Sequence, residues 1–101
     1  MTNRHVRFTS TARKHVQREK EWWQANREHV EVFAEELEHA LKIVAILPGV
    51  GTPYTRSPVA GVRRVYLRRV GAHLYYTFDD REVIIRALWG ARRGLGPKLG
   101  R

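Results

Sequence analysis

The sequence predicts an α+β two-layer domain, in which a helical hairpin packs on one face of a mainly antiparallel sheet. Two segments in the first half repeat their apolar residues at three- and four-residue steps, as amphipathic helices do. Three short segments after residue 60 instead alternate in the manner of strands and are joined by tight turns. The expected order is an N-terminal strand, two helices and a three-stranded antiparallel meander. With 101 residues, the chain is expected to form one domain, 1–101, with one core.

The N-terminal strand is predicted at residues 4–9 (RHVRFT), with Val6 and Phe8 on one side. Ser10 or Thr11 is expected to cap the first helix, because a hydroxyl oxygen accepts a hydrogen bond from a free backbone N–H group. This helix is predicted to run to about residue 25. Its apolar face carries Ala12, Val16 and Trp23.

The second helix is predicted from about His29 to Leu47, with an apolar stripe at helical spacing. The stripe consists of Val30, Phe33, Leu37, Ala40, Leu41, Val44 and Leu47. Pro48 and Gly49 are expected to end the helix, and residues 50–58 (VGTPYTRSP) are predicted to form a turn-rich loop.

The three strands of the meander lie between residues 61 and 94. In the middle strand, one predicted face carries Ala72, Leu74, Tyr76 and Phe78. In the last strand, the corresponding alternation is Val83, Ile85, Ala87 and Trp89. Both faces of the last strand are mostly apolar, which predicts a central position in the sheet. Arg63 and Arg64 are neighbours on the first of these strands, so their side chains should point to opposite faces.

The positive charge is confined to the C-terminal part of the chain. Residues 1–38 carry seven basic and seven acidic residues, whereas residues 39–101 carry twelve basic and three acidic residues, which accounts for the net +9. This segregation predicts a basic face on a neutral scaffold, suited to nucleic acid or to an acidic protein partner. The alternative is a solvated face that only keeps the protein soluble.

Several function classes are disfavoured by composition. The chain has no cysteine, so disulfides, thiolate chemistry and Cys-based zinc sites are excluded. Its five histidines show no ligand spacing, and we expect neither a metal nor a cofactor. No apolar run approaches the length of a signal peptide core or a membrane span, so a cytoplasmic protein without membrane contact is expected.

Four local strings follow one another over nearly the whole chain: LPGVGTP at the end of the second helix, GVRR at the next strand, HLYYTF in the middle strand and EVIIRALWGARRG in the last. In order and spacing, these strings resemble the RelE/ParE superfamily of bacterial type II toxins. The resemblance implies a growth-inhibiting toxin that is neutralised by an antitoxin encoded beside it.

The RelE-like branch of that superfamily consists of ribosome-dependent mRNA endonucleases that use clustered cations. Such a cluster suits the reaction because negative charge develops on the phosphate oxygens. Arg64 and Arg93 match basic positions of that set, but Tyr66 and His73 stand where further cations are expected. The tail GLGPKLGR also supplies no tyrosine, histidine or carboxylate. If the chain is a ribonuclease, its catalytic residues are predicted to be Arg64, His73 and Arg93.

The ParE-like branch poisons DNA gyrase by binding it. An Arg pair after the loop, a His-containing central strand and an IIR-x-L last strand resemble this branch more, and we favour it over the endonuclease branch. A third possibility is a basic nucleic-acid-binding or inactive module retained for another role. For binding the antitoxin or the target, the predicted basic surface consists of Arg64, Arg68, Arg86, Arg92 and Arg93.

Overall fold

The computed structural model describes residues 3–93 and 96–99. In these residues, strand β1 (His5–Phe8) is followed by helices α1 (Ser10–Asn26) and α2 (Glu31–Ile46). A 3-10 turn (Pro48–Val50) leads into strand β2 (Thr52–Pro53). Strands β3 (Arg63–Leu67), β4 (Ala72–Phe78) and β5 (Glu82–Gly90) follow, and a second 3-10 turn spans Ala91–Arg93. The predicted α+β class is confirmed.

The five strands form one sheet in the order β1-β5-β4-β3-β2. The predicted meander is present, because β3, β4 and β5 pair antiparallel in sequence order. Strand β1 pairs parallel with β5, so the last strand is indeed interior to the sheet. The loop predicted at residues 50–58 also contains the short strand β2, which sequence patterning missed because two residues are too few to show an alternation.

The main core lies between the two helices and one face of the sheet. Phe33 and Val44 from α2 and Trp23 from α1 pack there with Leu74 and Ile85 of the sheet. The predicted stripe of α2 is correct in its centre and wrong at both ends. Val30 and Leu47 are 39% and 55% exposed. They are the two cap residues of α2, so they lie where the helical stripe begins and ends rather than within it.

The N-cap of α1 is Thr9, not Ser10 or Thr11. The Thr9 hydroxyl accepts a hydrogen bond from the Ala12 N–H at 3.0 Å, and the helix begins at Ser10. Thr9 has an extended backbone, and its own N–H donates to the Ile85 carbonyl at 3.0 Å. The sheet therefore holds Thr9 in the extended conformation that a cap requires.

A β-bulge in β5 changes which side chains share a face. Tyr75 lies opposite Ala87 and Tyr76 lies opposite Ile85, so Arg86 is an extra residue on β5. The predicted alternation of Val83, Ile85, Ala87 and Trp89 is therefore wrong beyond Ile85. Ala87 packs on the face away from the helices, because the extra residue reverses the alternation after it.

Tyr76 fixes the segment that follows α2. Its hydroxyl donates to the Pro48 carbonyl at 2.6 Å and accepts from the Gly51 N–H at 3.0 Å. The Arg63 guanidinium donates to the Gly51 carbonyl at 2.6 Å. Burial raises the pKa of the Tyr76 hydroxyl, so the group stays neutral and can make both bonds. The LPGVG string is thus an anchor between α2 and the sheet.

Within residues 3–93 and 96–99, neither helix is long and apolar enough to cross a membrane.

Candidate functional site

A cleft of about 500 Å3 opens on the face of the sheet that points away from the helices. We call it the open-face cleft. Its walls come from the segment after β2, from the middle of the sheet and from the end of β5. The lining includes Tyr54, Arg56, Arg64, His73, Tyr75 and Trp89. Because β4 alternates, His73 and Tyr75 reach this face while Leu74 and Tyr76 enter the main core.

The floor beside the cleft is a second small apolar cluster. Tyr75, Ala87 and Val62 are buried there together with Leu99. Leu99 is only 4% exposed. Gly96 lies against the Tyr54 hydroxyl. The C-terminal segment at 96–99 therefore packs on the sheet and contributes to the cleft wall. The predicted tail GLGPKLGR is described only for these four residues; positions 94, 95, 100 and 101 lie outside the described part of the chain.

Arg64 is held in the cleft by aromatic side chains. Its Nη1 donates to the Tyr75 hydroxyl at 3.2 Å. Its guanidinium carbon lies 5.1 Å from the ring centre of Tyr54 and 5.9 Å from that of Tyr75. These distances fall within the range of cation–π attraction. The positive charge of Arg64 is thus fixed in position. Arg63 instead donates to the Gly51 carbonyl on the other side of the sheet, so the prediction that Arg63 and Arg64 face opposite sides is confirmed.

His73 lies beside Arg64 in the same cleft. Its ring centre is 4.9 Å from that of Tyr66 and 6.1 Å from that of Tyr75. Burial, and secondarily the Arg64 charge, lower the pKa of His73. The imidazole is therefore neutral at pH 7 and can accept a proton. None of the described residues that line the cleft carries a carboxylate.

Arg93 and Arg86 lie on the same side of the sheet but at different places. The Arg93 guanidinium carbon lies 5.1 Å from the ring centre of Trp89, at the rim of the cleft. Arg86 is the bulged residue, and its Nε donates to the Thr77 hydroxyl at 2.8 Å. Arg18 of α1 also approaches the Trp89 ring, at 6.0 Å. Sequence reasoning missed Arg18, because it belongs to the half of the chain with no net charge.

The structure places Arg68 and Arg92 apart from the open-face cleft. Arg68 lies in the turn after β3, beside Arg69 and Glu36. Arg92 instead pairs with Glu19 of α1, at 2.9 Å between Nη2 and Oε1. The Glu19 side chain is only 2% exposed. The Arg92 guanidinium also lies 4.0 Å from the ring centre of Trp22. Arg92 therefore attaches the turn after β5 to α1.

His15 is a buried polar residue behind the rim of the cleft. Its Nδ1 accepts a hydrogen bond from the Leu88 N–H at 3.2 Å, and its ring packs edge-on against Trp89 at 5.3 Å. Burial lowers the pKa of His15, and the charges of Arg18 and Arg93 add to the effect. The neutral ring is the form that can accept the Leu88 hydrogen bond.

We expect the free energy of unfolding to fall as the pH drops below about 6.5, the ordinary pKa of histidine. The pKa of His15 is lower in the folded chain, so the unfolded chain binds the proton first and acid favours unfolding. Urea denaturation at pH 7 and pH 5 measures the difference, which should shrink in His15→Asn. His39→Asn is the control, because His39 is exposed on α2. An equal pH dependence in wild type and His15→Asn would contradict this role.

Among the described residues, no group of three or more His, Asp or Glu side chains is placed to hold a metal ion.

Solved structures that match this chain include proteins of toxin–antitoxin systems. A chain of the chromosomal ParDE system from P. aeruginosa has 16% identity and a TM-score of 0.69, over 87% of this chain and 96% of that chain. A chain of the RelBE2 complex from Mycobacterium tuberculosis has 27% identity and a TM-score of 0.62, over 88% and 99%. A chain of the E. coli DinJ-YafQ complex has 11% identity and a TM-score of 0.62, over 93% and 99%.

No protein-family model and no curated protein sequence matches the chain. The structural matches define the class: the chain has the RelE/ParE toxin fold. This confirms the resemblance that the four local strings indicated. The matched structures include both ParE and RelE-like toxins.

Proposed function

We propose that the chain is the toxin of a toxin–antitoxin pair and inhibits growth by binding DNA gyrase, without catalysing a reaction. The fold supports the toxin assignment, and an antitoxin is the expected partner. The charge segregation supports an acidic segment on that antitoxin, because twelve of the nineteen basic residues follow residue 38.

The observation that carries the gyrase assignment is how the cations of the open-face cleft are used. Arg64 is hydrogen-bonded to Tyr75 and lies over Tyr54. Arg93 lies over Trp89 at the rim of the cleft. These guanidiniums stabilise the walls of the cleft instead of surrounding an acid–base pair. A surface of this kind is suited to binding a partner.

The second candidate is a ribosome-dependent mRNA endonuclease. The observation in its favour is that Arg64 and His73 lie in one cleft, with the pKa of His73 lowered. A neutral imidazole can accept the proton of a 2′-hydroxyl, and a fixed guanidinium can stabilise charge on the phosphate. Tyr54 and Trp89 offer aromatic surface for bases.

We expect expression of the chain alone to arrest growth, and the purified protein to inhibit supercoiling by purified gyrase while mRNA in a translating extract stays intact. Supercoiling assays and primer extension on the mRNA measure the two activities. Translation-dependent cleavage with normal supercoiling would favour the second candidate. In that case Arg64→Ala should reduce cleavage by about 100-fold or more, whereas Arg68→Ala, outside the cleft, should not.

Growth that continues while folded protein accumulates would contradict both candidates. It would leave the basic nucleic-acid-binding or inactive module as the remaining hypothesis.

A further inference from the structure

A groove of about 200 Å3 lies between α2 and β3, away from the open-face cleft. We call it the edge groove. Its apolar lining includes Ile43, Val44, Val50 and Val65. Seven large apolar side chains are exposed in the described residues, and five of them lie around this groove and the end of α2. These five are Ile43, Ile46, Leu47, Val50 and Tyr66. Such a concentration of exposed apolar surface is typical of an interaction site.

The strand that borders the edge groove has an open edge. Strand β2 pairs only with Arg63 and Arg64 of β3. The Tyr54 N–H donates to the Val62 carbonyl at 2.8 Å, so Val62 points its backbone groups towards β2. Because the backbone groups of successive residues point to opposite edges of a strand, Arg64 and Tyr66 also point their N–H and C=O groups towards the β2 side. No strand among the described residues lies beside Tyr66, so its N–H and C=O are available to a further strand.

Glu36 lies at one end of the edge groove and has an unused acceptor. Its Oε1 accepts a hydrogen bond from the Arg69 N–H at 3.1 Å. Its Oε2 is buried and has no hydrogen-bond partner among the described residues. A donor from a bound segment would satisfy this oxygen, because a buried carboxylate oxygen without a donor is costly.

We propose that the edge groove binds an extended segment of the antitoxin, which adds a strand to β3 beside Tyr66. This inference rests on the proposed function, because it names the surface that the antitoxin occupies. The open edge requires an extended backbone, the groove takes apolar side chains on alternate positions, and Glu36 Oε2 accepts from a donor of the segment. The exposed cations Arg68 and Arg69 adjoin Glu36, which favours acidic residues at that end of the segment.

The same cations argue against a second copy of this chain as the occupant. A self-paired β3 edge would bring Arg68 and Arg69 of both copies close together, and like charges oppose association.

The test is the affinity of the purified chain for the protein encoded beside its gene, measured by calorimetry. Ile43→Glu places a charge in the groove and should weaken binding by about 10-fold or more. Val30→Glu is the matched control, because Val30 is 39% and Ile43 37% exposed and Val30 lies at the other end of α2. We expect the control to bind within about twofold of wild type. If Val30→Glu weakens binding and Ile43→Glu does not, the partner lies between α1 and α2 and the proposal is overturned.

Two further measurements test the strand and the donor separately. Hydrogen exchange of the Tyr66 amide should slow when the complex forms, and an unchanged rate would overturn strand addition. Glu36→Gln can still accept from Arg69, but it presents an amide N–H2 where Oε2 was, so it should weaken binding by about 10-fold. Unchanged affinity would exclude Glu36 as the anchor.

Growth arrest tests the proposed function separately from the affinity for the antitoxin. Ile43→Glu should still arrest growth when it is expressed alone, because the edge groove is remote from the open-face cleft. A variant that arrests growth and binds the antitoxin normally overturns the docking site while leaving the toxin assignment intact. Protection of the Tyr66 amide in a dimer of the chain alone would identify a second copy as the occupant and overturn the proposal.

Discussion

Arg92→Met is expected to lower the free energy of unfolding by about 2–4 kcal/mol. The Glu19 carboxylate is 2% exposed, and Arg92 Nη2 lies 2.9 Å from it. Removing the cation leaves an uncompensated buried charge, whose cost exceeds the value of the ion pair itself. The Arg92 side chain is 36% exposed, so water that enters in its place reduces the penalty below that of a fully buried pair.

Urea denaturation of Arg92→Met and Arg93→Met distinguishes this effect from a general loss of charge. Arg93 is the adjacent arginine and is exposed, with its guanidinium over Trp89, so its replacement should cost less than about 1 kcal/mol. The double variant Glu19→Gln/Arg92→Met should recover part of the stability, because it removes the buried charge as well. Equal losses for the two single arginine variants would contradict a role for the Glu19 pair.

Gly51→Ala should destabilise the chain by about 2–3 kcal/mol. A Cβ atom at Gly51 would lie 2.5 Å from the Tyr76 hydroxyl and 2.9 Å from the Arg64 carbonyl oxygen. Neither atom can move away easily. Tyr76 is fully buried and bonded to Pro48, and the Arg64 carbonyl belongs to strand β3. The substitution must therefore displace the anchor between α2 and the sheet.

Gly49→Ala is the matched control for this prediction. A Cβ atom at Gly49 would meet nothing within 4 Å, so its stability should stay within about 0.5 kcal/mol of wild type. Thermal or urea denaturation of both variants gives the comparison. Adding Tyr76→Phe to Gly51→Ala should cost less than the sum of the two single changes, because phenylalanine lacks the hydroxyl that the new methyl group meets. If the two losses of stability are fully additive, the contact with the Tyr76 hydroxyl is not the cause of the destabilisation in Gly51→Ala.

Part of the candidate site could be predicted from sequence. The resemblance to RelE/ParE toxins indicated Arg64, His73 and Arg93, and the structure places Arg64 and His73 in one cleft with Arg93 at its rim. It did not indicate Arg18. That residue approaches Trp89 only because α1 packs on β5, and residues 18 and 89 are far apart in the chain.

The sequence by itself determined the α+β class, the segregation of charge and the order of the elements apart from the short strand β2. Helical and strand periodicities depend on neighbours within about four residues, so they can be read along the chain. The tertiary structure alone decided that Arg92 pairs with Glu19, that the side-chain alternation of β5 reverses at Arg86 and that β3 keeps an open edge. Each of these depends on strand register or on helix–sheet packing, which brings together residues that no local pattern relates.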